Sequence, residues 1–321
     1  MADKNLMNIL LVDLQHSPNG SLSDDVNTIK NIFLHNHNVD HLCLPDGDSF
    51  LNLMAFYKKI LTTRYDRVVI LSAKITQLVL IVPATLFQKI SFIYHFMPQH
   101  RACYHSFMLG ILQFFFRIGV YGIGVKKIVD ETIGKKKSFL VPSRVIDKSN
   151  SITLLKEKLN LSHAKVFIPG IREGVRHLPD LPRLIDFIET KMGYRVEKVI
   201  IQTNNSLPQN WSNFPIKIVN FLDSKQYTKI YTESLFVICE FEKKYEVRAS
   251  GILLDALSYG CIILGNNHPI NDQYSCTNSL VTSTTHAMES ILQLKKLSID
   301  ETKLPPNSAE EGKALWDIFL H

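Results

Sequence analysis

The sequence is poor in the features that announce a chemistry at sight. Its five cysteines, at 43, 103, 239, 261 and 276, are odd in number, scattered and without a C-x-x-C pair. That excludes a disulfide framework and a cysteine zinc site, and predicts reduced, buried thiols. There is no P-loop and no Gly-x-Ser-x-Gly turn, so neither a Walker-type nucleotidase nor an α/β-hydrolase is expected. No uncharged apolar run reaches the length of about 18 residues that a membrane-spanning helix needs. The start, Met1-Ala2-Asp3-Lys4-Asn5, is polar and unlike a signal peptide, which predicts a cytoplasmic protein. Repeats, low-complexity tracts and long charge blocks are missing too. The charge balance is mild, with 36 Lys and Arg against 30 Asp and Glu, a net charge of +6 and a pI of about 8.9. It suits a phosphate-bearing ligand or an anionic membrane surface and does not call for nucleic acid.

What is present is chain for two domains, since 321 residues can build two sizeable cores. Hydrophobic content of 45% and charged content of 21% are those of a globular protein. The first half alternates. Strands are predicted at 8–12, 39–44, 67–71, 89–96 and 137–141, and helices at 24–35, 49–62 and 74–80, the last ended by Pro83. Strands alternating with helices predict a parallel sheet, whose ligands bind beyond the carboxyl ends of the strands. After a helix of linker type at 149–160, the pattern resumes with strands at 165–168, 196–202, 217–221 and 235–239. Helices are predicted at 181–192, 224–232, 286–297 and 308–320.

The stretch Cys239–His268 organises the second half. A charged loop from Glu240 to Ala249 leads to Ser250-Gly251 and an apolar helix pattern, Ile252, Leu253, Leu254, Ala256, Leu257. Gly260 ends that helix, and Cys261-Ile262-Ile263-Leu264 reads as a buried strand. A helix opened by Ser250 and Gly251 presents unpaired N–H groups and the positive end of its dipole to an anion. Arg248 offers a guanidinium to the same anion. Asp255, about one turn into the helix, is placed for a ribose diol. A nucleoside diphosphate fits this set; an ordinary N-capped helix beside a solvated arginine fits it as well.

Asp255-Ala256-Leu257-Ser258-Tyr259-Gly260-Cys261-Ile262-Ile263 resembles the donor-binding segment of GT-B glycosyltransferases, most closely the family 4 group. That segment carries an acidic residue, a Gly-rich turn, a second acid eight positions on, then Ala-x-x-x-Gly and an apolar strand. The second half of the pattern matches, with Asp for the usual Glu. In the first half, Val247 stands where the earlier acid is usual, and the nearest acid is Glu246.

The resemblance implies an α/β protein of the GT-B type, with two Rossmann-like domains facing across a cleft and a C-terminal helix crossing back to the first. The expected boundaries are 1–146 for the acceptor domain, 163–305 for the nucleotide-sugar domain and 306–321 for the returning helix. It implies donor contacts at Arg172 or Arg176 in the loop after the strand at 165–168, at Phe221 and Leu222, and at Arg248, Ser250, Gly251 and Asp255. A lysine usual a few residues after the first of these is missing. It places acceptor contacts in the first half, where the loops carry His16 and Gly20. An inverting transfer needs a base for the acceptor hydroxyl, and His95, His100 and Glu246 are the candidates; a retaining transfer of the family 4 kind can use the departing phosphate oxygens. No metal and no cofactor is implied beyond the nucleotide sugar, taken as a UDP-sugar.

Three further patterns compete for meaning. The run Ser106–Ile118, SFMLGILQFFFRI, has basic neighbours at Lys126-Lys127 and Lys135-Lys136-Lys137. It is either a core helix or an interfacial helix, which would make the protein peripheral on the inner face of the membrane. Asp46-Gly47-Asp48 spells a metal-binding Asp-x-Asp but follows Pro45, so it reads as a turn. Gly119–Gly124 is glycine-rich without an evident strand-to-helix context, which argues against a nicotinamide site. The expected function is a metal-independent glycosyltransferase that moves a sugar from a nucleotide sugar to a glycan or lipid-linked hydroxyl. Two alternatives share the fold: a non-catalytic binding subunit or chaperone of a partner glycosyltransferase, and a sugar-nucleotide epimerase. A homo-oligomer stays open.

Overall fold

A computed structural model describes residues 6–16, 21–34, 37–45, 47–97, 102–134, 138–142, 148–208, 211–243, 245, 247–248, 250–271, 281–283 and 309–320. The chain divides into two compact units. The first holds Met1–Val145, Glu246–Ala249 and Ala309–His321; the second holds Ile146–Tyr245 and Ser250–Ser308.

The first unit has a parallel six-stranded sheet in the order β2-β1-β3-β4-β6-β7. Its strands are β1 (Asn8–His16), β2 (Asn38–Pro45), β3 (Arg67–Ser72), β4 (Ile90–Tyr94), β6 (Arg117–Val120) and β7 (Ser138–Leu140). The helices α1 (Ser21–Leu34), α2 (Ser49–Thr62), α3 (Ile75–Ile81), α4 (Ala102–Leu112) and α5 (Ile123–Ile133) connect them. The two faces of the sheet bury separate cores. Leu10, Val12, Val68, Ile70 and Phe92 pack with α2 to α5. Ile9, Leu11, Val69 and Leu71 pack with α1 and the last helix, α10 (Ala309–Leu320). That split follows from strand alternation, because successive side chains leave opposite faces. The C-terminal helix thus docks on the first unit: Trp316 is fully buried, and its Nε1–H donates to the Pro142 carbonyl at 3.0 Å.

The second unit repeats the plan in the order β10-β9-β8-β11-β13-β14. Its strands are β8 (His163–Ile168), β9 (Arg195–Gln202), β10 (Ile216–Val219), β11 (Phe236–Cys239), β13 (Ile262–Gly265) and β14 (Val281–Ser283), and its helices include α6 (Lys148–Leu159), α7 (Leu181–Thr190), α8 (Ser224–Glu233) and α9 (Gly251–Ser258). Every strand pair recorded in either sheet is parallel. A further two-residue ladder pairs β12 (Val247–Arg248) antiparallel with β5 (Phe96–Met97) inside the first unit.

Several expectations are corrected. The apolar run 106–118 is not one helix: α4 ends at Leu112, a turn follows, and Arg117 begins β6, which pairs with β4. The run is apolar throughout, so no periodicity marks the change from helix to strand. With β6 recognised, Gly119–Gly124 does span a strand-to-helix turn, since Gly122 caps α5. The α-helix before Pro83 does end, at Ile81, and a 3₁₀ turn at Val82–Leu86, which the sequence reading did not include, follows it. Cys239 and Cys261 are buried, but Cys43 and Cys103 are exposed. The helix at 148–159 is no loose linker, because Leu155, Ser151 and Lys158 are buried and Ser151 Oγ donates to the Ser258 carbonyl at 2.7 Å. Of the run 46–48, Asp48 N-caps α2 through its carboxylate, and Asp46 lies outside the described residues. The helix expected at 286–297 lies outside the described residues.

Candidate functional site

In the second unit the connections from β8 run to β9 on one side, and the chain later returns to β11 on the other. The carboxyl ends of β8 and β11 therefore flank the switch point, where open α/β sheets bind ligands. The loop after β8 turns at Gly170, whose φ of +48° is left-handed, and a Cβ there would stand 2.6 Å from the Arg176 guanidinium. Arg176 is buried and its Nε donates to the Gly170 carbonyl at 3.0 Å. Its guanidinium carbon lies 5.9 Å from the centre of the Phe241 ring. Arg172 sits exposed at the other end of the turn, which closes through Arg176 N to Arg172 O at 3.0 Å. Of the two arginines, Arg176 braces the loop and Arg172 faces solvent.

The loop is held from below by Gln202 at the end of β9. Gln202 Oε1 accepts from Gly170 N at 3.0 Å and from the Tyr227 hydroxyl at 2.6 Å. From the other side, Glu242 N donates to the Val175 carbonyl at 3.0 Å, and His177 Nε2 lies 2.9 Å from Glu240 Oε2. Asn266, after β13, pairs with Phe241 in both directions, Phe241 N to Oδ1 at 3.0 Å and Nδ2 to Phe241 O at 2.7 Å. Gln202, Tyr227 and Asn266 were not singled out in the sequence. They are ordinary polar residues whose partners lie 25 to 32 positions away. Burial pushes the Cys239 thiol up to about 12, with the Arg176 charge pulling the other way, so Cys239 is no nucleophile near neutral pH.

The helix α9 opens as its sequence predicts. Ser250 is its N-cap and accepts from Leu253 N at 3.4 Å. The amides of Gly251 and Ile252 belong to the first turn, which has no helical carbonyl to meet. Asp255 is half-buried along the same helix. Gly260 closes the helix with φ +62°. Of the two residues expected at the nucleotide base, Phe221 is 78% exposed and Leu222 is buried in the core.

The first unit carries its own group of polar residues at the carboxyl ends of its strands. His95 follows β4, its Nε2 is hydrogen-bonded to the Leu71 carbonyl, and its ring meets Tyr121 edge-on at 4.9 Å. Next to Leu71, Ser72 Oγ donates to the buried carboxylate of Asp13, and Gln15 N donates to both, at 3.1 Å to Asp13 and 3.2 Å to Ser72. Asp13, near the carboxyl end of β1, and Ser72, the last residue of β3, lie at the switch point of this sheet and are additions to the expected set. The ladder of β12 on β5 sets the Arg248 backbone opposite Phe96, the neighbour of His95. His16 ends β1. His100, Glu246 and Gly20 lie outside the described residues. The Arg248 backbone belongs with His95 to the first unit, and Arg172, Arg176, Ser250, Gly251 and Asp255 belong to the second.

No protein-family model matches the sequence, and no curated relative does either. Solved structures do match in fold. Sucrose-phosphate synthase from Thermosynechococcus elongatus is 11% identical, with a TM-score of 0.57 over 98% of this chain and 96% of its own. HepE from Anabaena, solved with UDP and glucose, is 12% identical, with a TM-score of 0.55 over 98% of this chain and 94% of its own. The glycosyltransferase of kitacinnamycin is 9% identical, with a TM-score of 0.51 over 98% and 95%. The chain thus has the GT-B fold of two Rossmann-like domains.

Proposed function

We propose that this GT-B chain is a glycosyltransferase that takes its sugar from a UDP-sugar and passes it, without a metal, to a hydroxyl of a glycan or lipid-linked acceptor. The observation that carries the reading is the second unit's switch point. There the Gly170 loop, with Arg172 exposed, and the N-terminus of α9 occupy the carboxyl end of one sheet. The fold's likeness to HepE, which was solved with UDP and glucose, supports it.

In this reading the departing diphosphate gains negative charge as the glycosidic bond breaks. The Gly251 and Ile252 amides and the Arg172 guanidinium stabilise that charge. Asp255 holds the ribose. Gly170 lets the backbone turn with no side chain in the way, and Gln202 and Arg176 keep that turn in place. His95 takes the proton of the acceptor hydroxyl. Asp13 and Ser72 shape the acceptor side of the first unit.

A thermal-shift series with UDP-, GDP-, dTDP- and CMP-sugars tests the reading. UDP-sugars should raise the melting temperature, since a ligand that binds the native state alone stabilises it. His95→Ala should keep that shift and lower transfer by about 100-fold or more. If no nucleotide sugar shifts the melting temperature at millimolar concentration, the transferase reading fails, and a binding subunit of a partner transferase replaces it.

A further inference from the structure

The helices α2, α3 and α4 form neighbouring parts of one layer over the first sheet, all packed on the same core. Their inward residues are ordinary: Leu53, Phe56 and Ile60 on α2, Leu109 and Leu112 on α4. Their outward residues are not. On α2, Phe50, Met54 and Leu61 recur at helical spacing and are exposed, Phe50 by 69%. On α4, Tyr104, Phe107 and Ile111 make a second exposed stripe, and Phe114 in the turn after it is 77% exposed. Between them, Tyr57 on α2 donates to the Leu80 carbonyl of α3 at 2.6 Å. There Leu80 is exposed, as are Leu86 and Phe87 of the 3₁₀ turn, Leu86 by 81%. Single exposed apolar residues need no explanation, but a gathering of them on three adjacent helices marks an interaction surface.

The charge of the same layer says what it meets. Residues 49–129 contain ten of the chain's 36 Lys and Arg but one of its 30 Asp and Glu, Asp66. The remainder of the chain has 26 Lys and Arg against 29 Asp and Glu. Of these ten, Arg67 and Arg117 donate to the Leu320 and Phe319 carbonyls of α10, and Lys59 and Lys126 pair with Asp40 and Asp130. Lys58, on the outer side of α2, and Arg64, Lys74 and Lys89 at element ends are exposed.

We propose that the outer face of α2, α3 with its 3₁₀ turn, and α4 is a docking surface for an anionic lipid bilayer. The apolar stripes enter the acyl boundary and the cations meet the headgroups, Lys58 from within the α2 stripe by snorkelling. A second copy of the chain is a poor occupant, because two such faces would bring like charges together. No helix among the described residues is long and apolar enough to cross a membrane, so the attachment is peripheral. This surface belongs to the first unit and stands whether or not the second unit binds a nucleotide.

Co-sedimentation of the full chain with vesicles is the test. Phosphatidylcholine vesicles doped with phosphatidylglycerol should bind it at low salt and release it at high salt, and pure phosphatidylcholine should bind it far more weakly. Lys58→Gln and Arg64→Gln should each weaken the partition by roughly fivefold. Phe107→Ser with Phe114→Ser should remove most of it. Both sets change exposed side chains, so an unaltered melting temperature serves as the control for folding. Three results would overturn the assignment: no binding to doped vesicles at low salt, equal binding to doped and pure vesicles, or a dimer by light scattering that Phe107→Ser dissolves.

Discussion

Arg176 and Gly170 account for each other at the scale of single residues. The guanidinium fills the space that a Cβ at 170 would enter, and the Gly170 carbonyl accepts its Nε–H. Gly170→Ala should cost more than about 1 kcal/mol, since it adds a positive-φ strain to a clash. In an Arg176→Ala background the same change should cost less, and a double-mutant cycle by urea unfolding measures the difference. Cys239 gives a second check. Its thiol ionises near pH 8.5 in the unfolded chain but is held protonated up to about 12 in the fold. Its contribution to stability is complete below the lower value. Above it the unfolded chain loses the proton first, and stability falls by about 1.4 kcal/mol per pH unit. Unfolding measured between these values should show a shallower slope for Cys239→Ala, by about one proton. Thiol labelling of the native protein at neutral pH should modify Cys43 and Cys103 and spare Cys239 and Cys261.

Among the elements, α9 and its flanks were the most legible, because their signals are local. A Ser-Gly start, a run of apolar residues and a terminal Gly each act within a few positions, and the structure has Ser250 capping and Gly260 at φ +62°. The strand β6 was illegible for the opposite reason. Nothing in Phe114–Ile118 distinguishes the end of a helix from the start of a strand, and only pairing with β4 decides it. The C-terminal helix was legible as amphipathic, and its docking follows from Trp316. That ring meets Phe33 at 5.1 Å and Phe319 at 5.8 Å, edge-on in both cases. Trp316→Ala should lower stability by about 3–5 kcal/mol through the cavity it leaves, and it also forfeits the hydrogen bond to Pro142. Chemical denaturation should report that loss, while a helix that merely lies on the surface would give a change near zero.

At the level of the whole molecule, two sheets of the same design place polar residues at the carboxyl ends of their strands. The alternation of strands and helices disclosed that plan. The composition of each polar group was less accessible, because Gln202 with Gly170, and Asp13 with Ser72, meet only after folding brings distant strands together. The motif around Asp255 pointed to the second unit, and the chain's own arginines there divide the work between bracing and solvent exposure. The central claim is that this unit holds a nucleoside diphosphate at the start of α9. Titration calorimetry of UDP into the wild type, Arg172→Ala and Gly251→Val tests it most directly. The wild type should bind. Arg172→Ala should lose a charge-assisted contact of about 1.5–3 kcal/mol, which is on the order of 10- to 100-fold in affinity. Gly251→Val should lose at least as much, because a branched side chain bars phosphate from the first-turn amides. Equal UDP affinity in all three proteins, or none in the wild type, would contradict the claim.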